Sequence, residues 1–255
     1  MALEVRFFRC RSDNIGLLVR NRATGEAMLV DAPEEGPILE EIEATGWLPS
    51  AVLVTHHHFD HVAAIPALKQ WFGLRVLGPG DEAERIPGID ELLADGQVVH
   101  LLGEEMRVIA TPGHTRGHLS YHFPTSGHLF TGDTLFALGC GRLGECGPAE
   151  MLSSLTRLRA LPLETSVWSG HDYLDKNARF ALTVDPGNEP LRRRAADAAS
   201  MLADRTLAPP STIGEELATN PFLRWDNAAV RATLGMKDAN ELDVFTELRQ
   251  RRNVF

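Results

Sequence analysis

Residues 55–61, THHHFDH, place four histidines and an aspartate directly after the apolar run AVLV (51–54). A packed core has no use for imidazoles at this density, because burying them costs solvation unless something neutralises or coordinates them. The preceding run reads as a short buried strand, and HVAAIPALKQWFG after it as a helix stopping at Gly73. A strand-to-helix loop is where side chains gather to build a site. His56 and His58, two apart, can converge on one metal ion, and Asp60 and His61 can point to a second beside it. Asp60 also stands at the mouth of the helix, where the macrodipole favours its ionised form. One such histidine alone reads as a solvated polar residue, and Asp60 alone as a helix cap. The combination H-x-H-x-D-H is what argues for metal.

Two ions need more donors. His114 in TPGHTRGH, Asp133 in FTGD and His171 in SGHDY each follow an apolar strand. The two oxygens of Asp133 suit a bridge between ions ~3.5–4 Å apart. Spacing leaves His118 competing with His114, and Asp172 with His171. His57, His100, His122 and His128 are read as non-ligands, His57 because its side chain alternates with its neighbours. A set of imidazoles and carboxylates without cysteine suits zinc, iron or manganese.

Around these donors the chain has two textures. Up to about residue 171, short apolar strands (EVRFF, GLLVR, AMLVDA, RVLGPG, QVVHLL, MRVIATPG, LSYHFP, GHLFTGD) alternate with helical patterns such as PILEEIEATG. That alternation predicts a layered α/β protein. Beyond His171 the pattern is helical, broken at Pro186-Gly187 and Asn220-Pro221. Thr212 and Glu215 form a capping box, and VRATLG and ELDVFTELRQRR read as the last two helices. A boundary near residue 173 follows. The formal net charge of -10 argues against nucleic acid or an anionic membrane as partner. Any anionic ligand would need a local basic group. No run approaches ~20 apolar residues, so no transmembrane helix is expected, and the start shows no secretion signal. Cys10, Cys140 and Cys146 are a sparse, odd set, fitting a reducing compartment and predicting a cytoplasmic protein.

THHHFDH, TPGHTRGH, FTGDTLF, GCGR and GHDY, in this order and spacing, resemble the metallo-β-lactamase superfamily and, more narrowly, the hydroxyacylglutathione hydrolases (glyoxalase II). GHDYLDKNARFAL, VDPGNEPLRRR, PSTIGEELATNPFLRW and FTELRQRRNVF carry the narrower likeness, which covers nearly the whole chain. The resemblance implies an α/β fold, a four-layer αββα sandwich over residues 1–173 with a helical glutathione-binding domain over 174–255. It implies that His56, His58 and His114 hold a first metal, Asp60, His61 and His171 a second, and that Asp133 bridges them. It thereby selects His114 over His118, and gives Asp60 and Asp133 catalytic roles. Glutathione would be held by Arg142, Tyr173, Arg249 and Arg252. A guanidinium can grip a carboxylate through two parallel hydrogen bonds. Arg249 and Arg252 are three apart on the last helix, beside a stripe of Leu242, Phe245 and Leu248. Without the resemblance they would pass for cations complementing a helix end.

The implied activity is hydrolysis of S-(2-hydroxyacyl)glutathione, typically S-D-lactoylglutathione, to a 2-hydroxy acid (D-lactate) and glutathione, as in methylglyoxal detoxification. Two divalent ions, zinc by expectation with iron or manganese as alternatives, would lower the pKa of a water from about 15.7 toward ~7. The hydroxide attacks the thioester, with Asp60 orienting it and a metal stabilising the oxyanion. The thiolate leaving group, parent pKa near ~8.5, needs no strong general acid. The expected partner is this small molecule, with no nucleic acid or membrane, for a monomer or weak homo-oligomer. Phe59 stands where the family often has Trp, Ala63 and Ala64 where it has glycines, and Arg142 where lysine is frequent. Leu143 and Gly144 replace an aromatic pair that includes a glutathione-contacting tyrosine, which removes a hydroxyl and an aromatic wall. Rival readings are a persulfide dioxygenase with mononuclear iron, another thioesterase of this fold, and a non-catalytic binding protein. The complete donor set counts against the dioxygenase and the binding protein, the helical tail against the dioxygenase, and the acidic balance against a nuclease.

Overall fold

A computed structural model describes residues 3–255. The chain divides into two compact units: one runs to Ala110 and resumes over Arg116–Gly132, the other comprises Thr111–Thr115 and Asp133–Phe255.

In the first unit, β1 (Leu3–Cys10) and β2 (Asn14–Asn21) form an antiparallel hairpin, followed by β3 (Ala27–Val30). Then come α1 (Glu35–Thr45), β4 (Pro49–Leu53), α2 (Phe59–Val62), α3 (Ile65–Phe72), β5 (Arg75–Pro79) and β6 (Glu91–Leu93). The six strands lie in sequence order, parallel from β3 to β6. Parallel strands joined by crossovers are covered on both faces, which requires continuous apolar runs rather than alternation. AMLV in β3 is accordingly buried throughout. Ile38 and Ile42 of α1 and Ile65 and Leu68 of α3 pack with Leu29, Val52 and Val76 of the strands. A second run, β7 (Val98–Leu101), β8 (Glu104–Ala110), β9 (Leu119–Phe123) and β10 (His128–Gly132), pairs antiparallel in order.

The helix expected over 61–73 is two pieces. Pro66, near the start of α3, lacks an N–H and its ring crowds the carbonyl four residues back, so the turn cannot run on from α2. The freed backbone is used instead: Ala32 N–H donates to His61 O at 2.7 Å, and Ala64 N–H to Ala32 O at 3.0 Å. The histidine loop is thereby stitched to the end of β3. As predicted, α3 ends at Gly73, whose φ of 65° suits a residue without Cβ.

The second unit contains the β11 (Leu135–Phe136) and β12 (Gly139–Cys140) pair, α4 (Pro148–Arg159), β13 (Ser166–Ser169), α5 (Leu174–Val184) and α6 (Glu189–Asp204). β14 (Ser211–Thr212) pairs antiparallel with β13, and α7 (Ile213–Thr219), α8 (Ala228–Leu234) and α9 (Glu241–Val254) follow. The Thr212/Glu215 capping box is present at the start of α7. The expected apolar stripe of α9 needs correction. Val244, Phe245, Leu248 and Arg249 face inward, whereas Leu242 is exposed. Steps of three residues alone wind off the face of a 3.6-residue helix, so a buried stripe must alternate threes with fours. Among the described residues, no helix is long and apolar enough to cross a membrane.

Candidate metal centre

In the first unit the donors come with their tautomers set. The Thr55 hydroxyl lies 2.8 Å from Asp31 Oδ2, to which it donates, and 3.0 Å from His56 Nδ1. It therefore accepts from Nδ1–H, which turns His56 Nε2 away from Thr55. His61 Nδ1 donates to the same Asp31 Oδ2 at 2.8 Å, which likewise turns its Nε2 away from Asp31. Asp31 Oδ1 accepts the Thr55 N–H at 2.7 Å. One buried carboxylate thus backs two imidazoles, fixing ring orientation and raising basicity, as carboxylates behind ligating histidines do. Asp31 holds this position with φ of 57°, a left-handed conformation that aspartate tolerates better than most residues.

His58 Nδ1 lies 3.2 Å from His56 Nε2. The Asp60 carboxylate is steadied from the β1–β2 hairpin: Asn14 Nδ2 donates to Asp60 Oδ2 at 3.1 Å and to its carbonyl at 3.0 Å. The same Oδ2 stands 3.8 Å from His61 Nε2. His118 is fully buried and its ring stacks on that of His56, 5.0 Å between centroids.

In the second unit, His114 Nδ1 donates to Arg142 O at 3.0 Å, which turns Nε2 toward Asp133. Asp133 Oδ2 is 3.3 Å from His114 Nε2 and 3.4 Å from His171 Nε2. The GCGR loop closes on these donors. A Cβ on Gly141 would fall 1.9 Å from the Asp133 carbonyl oxygen, so only glycine permits this approach.

Among the residues whose donor atoms could hold a metal ion are His56, His58, Asp60 and His61 in the first unit and His114, Asp133 and His171 in the second, the seven expected from the sequence; His57, His118 and Asp172 are not among them. Imidazole nitrogens together with carboxylate oxygens suit a divalent cation.

The predicted basic residues occupy the second unit. Arg249 is only 4% exposed, and its Nη1 donates to the Cys140 and Gly141 carbonyls at 2.9 and 3.4 Å. Its guanidinium also lies 5.1 Å over the Phe222 ring. Arg249 thus buttresses the loop that carries Arg142, a role its helix position did not announce. Arg252 is half-buried and donates to Asn177 Oδ1 at 3.2 Å from Nη2. Burial first, then the nearby charges of Arg249 and Arg142, pulls Arg252 below its ordinary pKa. Tyr173 stacks flat on His171, centroids 5.0 Å apart. Crowded guanidiniums beside a phenol are chemistry that suits an anion. The sequence reading missed Asp31 and Asn14. The signal for Asp31 was its place at the end of the buried run AMLV, the position it used for the other donors.

This arrangement is that of a class. Residues 10–171 match the family model of the metallo-beta-lactamase superfamily, and residues 172–255 that of the hydroxyacylglutathione hydrolase C-terminus. The chain is 54% identical over 255 residues, all of both chains, to a hydroxyacylglutathione hydrolase of Mesorhizobium japonicum. It is 48% identical to that of Rhizobium meliloti, over all of this chain and 99% of the relative. Among solved structures, ETHE1 from Myxococcus xanthus superposes with a TM-score of 0.69 at 24% identity, covering 97% of this chain and 90% of that one, which shows the fold alone. TTHA1623, solved in a di-iron-bound form, gives 0.63 at 26% identity over 86% of this chain and all of that one. The chain therefore belongs, within the metallo-β-lactamase superfamily, to the hydroxyacylglutathione hydrolase family. The expected fold class, a metallo-β-lactamase α/β fold with C-terminal helices, is borne out.

Proposed function

We propose that this chain hydrolyses S-(2-hydroxyacyl)glutathione, S-D-lactoylglutathione in particular, to the 2-hydroxy acid and glutathione. The observation that carries the reading is the set of seven histidine and aspartate donors, three of whose imidazoles are held from behind at Nδ1 by Thr55, Asp31 and the Arg142 carbonyl. Full-length relatives named for this activity support the choice of substrate. His56, His58 and His114 would hold one divalent ion, Asp60, His61 and His171 a second, with Asp133 shared. Two zinc ions per chain are proposed, with iron or manganese as alternatives. Ions bound there supply Lewis acidity and a water acidified toward pKa ~7.

The chain's own residues prepare and orient. Asp31 and Thr55 hold His56 and His61 in the ligating tautomer before anything binds. Asn14 fixes the Asp60 carboxylate, which orients the attacking water and accepts its hydrogen bond. Arg142, Tyr173 and Arg252 would take the glutathione carboxylates, with Arg249 bracing the loop and adding charge from behind. The thiol of glutathione is acidic enough to leave as thiolate without a protein acid. In this reading residues 1–173 supply the chemistry and residues 174–255 the glutathione grip, in a cytoplasmic monomer or weak homo-oligomer.

The test is a comparison of S-lactoylglutathione with lactoyl thioesters of cysteine and coenzyme A, on purified protein with metal counted by elemental analysis. The reading expects about two ions per chain and the highest kcat/KM on the glutathione thioester. One iron per chain, or preference for another thiol, would overturn it.

A further inference from the structure

Glu82 lies in the 3-10 turn Gly80–Arg85 that follows β5, outside every motif discussed so far. It is 1% exposed, yet belongs to none of the donor groups. A carboxylate withdrawn from water must find donors to replace the solvent. Glu82 finds three. His57 gives two, its N–H and its Nδ1, each 2.8 Å from Oε2, and the Gly117 N–H lies 3.0 Å from Oε1. Arg85 Nη2 stands 3.9 Å from Oε1.

The recipients are what matters. His57 is the residue between His56 and His58, and Gly117 is three residues after His114 in TPGHTRGH. The approach is close: a Cβ on Gly117 would fall 2.6 Å from Glu82 Cγ. One buried side chain therefore fastens two separate donor-bearing segments, and does so through backbone N–H groups, which fix where the chain runs. It also gives His57 a place, since the imidazole that ligates nothing is the one turned onto Glu82.

We infer that Glu82 is a positioning residue for the metal centre, setting the spacing of the His56/His58 loop against the segment after His114, with His57 as its relay. The inference rests on the metal-binding reading of those histidines and adds to it a residue that touches neither ion nor substrate. A selective consequence follows. Glu82 fastens segments that carry His56, His58 and His114, whereas His61 and Asp60 are backed separately by Asp31 and Asn14. Disturbing Glu82 weakens the hold on one ion more than on the other.

The experiment uses full-length, metal-loaded protein and competes the ions away with a chelator while metal content and thermal unfolding are followed. Glu82→Gln keeps the size but offers one acceptor oxygen, so an NH2 group must confront either His57 or Gly117 donors. Glu216→Gln is the control. Glu216 is equally buried and accepts from Leu138 N–H, Asn220 and Arg194, none of them in the His56/His58 loop or the segment after His114. Expected is a loss of roughly 10-fold or more in affinity for one of the two ions in Glu82→Gln, at the low end of what outer partners of metal ligands contribute. Glu216→Gln should lower the unfolding temperature but leave both affinities at the wild-type value. Should Glu82→Gln be recovered unfolded, Glu82→Asp, which keeps the charge but shortens the reach, must show the same selective loss. Wild-type affinity for both ions in the folded variant, or an equal loss in Glu216→Gln, would overturn the inference. Failure of the wild type to bind ions at all would instead overturn the metal reading beneath it.

Discussion

The histidine loop and the arginine cluster solve opposite electrostatic problems. In the loop, rings have one nitrogen engaged from behind: Asp31 takes His61 and Thr55 takes His56, while Glu82 takes the non-ligating His57. Anionic support sits behind the rings, an arrangement that suits a cation in front of them. In the cluster, Arg142, Arg249 and Arg252 press on one another, and the support behind them is made of carbonyls and an amide. Carbonyl dipoles steady a guanidinium without cancelling its charge, so an anion remains wanted. The contrast teaches that the sign of the charge a site suits can be read from what stands behind its side chains.

Substitutions that reverse or blunt the contrast should act in order of how directly they touch the donors. Asp133→Ala removes the oxygen placed against both His114 and His171, and kcat on S-lactoylglutathione should fall by more than about 100-fold, because outer partners alone are worth roughly 10–100-fold. Asp31→Asn should come next. Its amide has one accepting oxygen, so an NH2 group must confront either the Thr55 N–H or the Thr55 hydroxyl and His61 Nδ1 together, and metal affinity should drop about 10–100-fold in chelator competition. On the other side of the contrast, Arg252→Met should raise KM for the glutathione thioester by about 10-fold or more with kcat little changed, as expected when a charge-assisted contact made equally in ground and transition states is lost. Added salt should shrink that difference.

The smallest effect concerns protons rather than ligands. Burial is the leading cause that depresses the pKa values of His122 and His128, with Arg107 adding to it at His122. A histidine depressed in the folded state binds its proton more readily when unfolded, so stability is present above the unfolded value near ~6.5 and is lost as pH falls through it. Urea midpoints measured from pH 7 to 5 should decline, and less steeply in His122→Gln. An unchanged slope would remove this residue from the acid response.

Much of this was legible in the residue order. H-x-H-x-D-H after a buried strand, and the strand ends carrying His114, Asp133 and His171, are short-range patterns whose chemistry is local. The capping box at Thr212 and the stop at Gly73 are local too. What stayed hidden depends on the fold. Asp31 lies 24 residues before Thr55, and Glu82 25 after His57, so no spacing rule couples them. The burial of Arg249 was hidden because an end-of-helix cation reads as solvated, and only the Cys140–Gly141 carbonyls give it reason to turn inward. The split of α2 from α3 was missed although Pro66 announced it.

The most direct measurement is an anomalous difference map from crystals of metal-loaded protein, recorded at the absorption edge of the metal found by elemental analysis. The account predicts two peaks, one ringed by His56, His58 and His114 and the other by Asp60, His61 and His171, with Asp133 between. A single peak, or a metal seated away from these seven side chains, would contradict it.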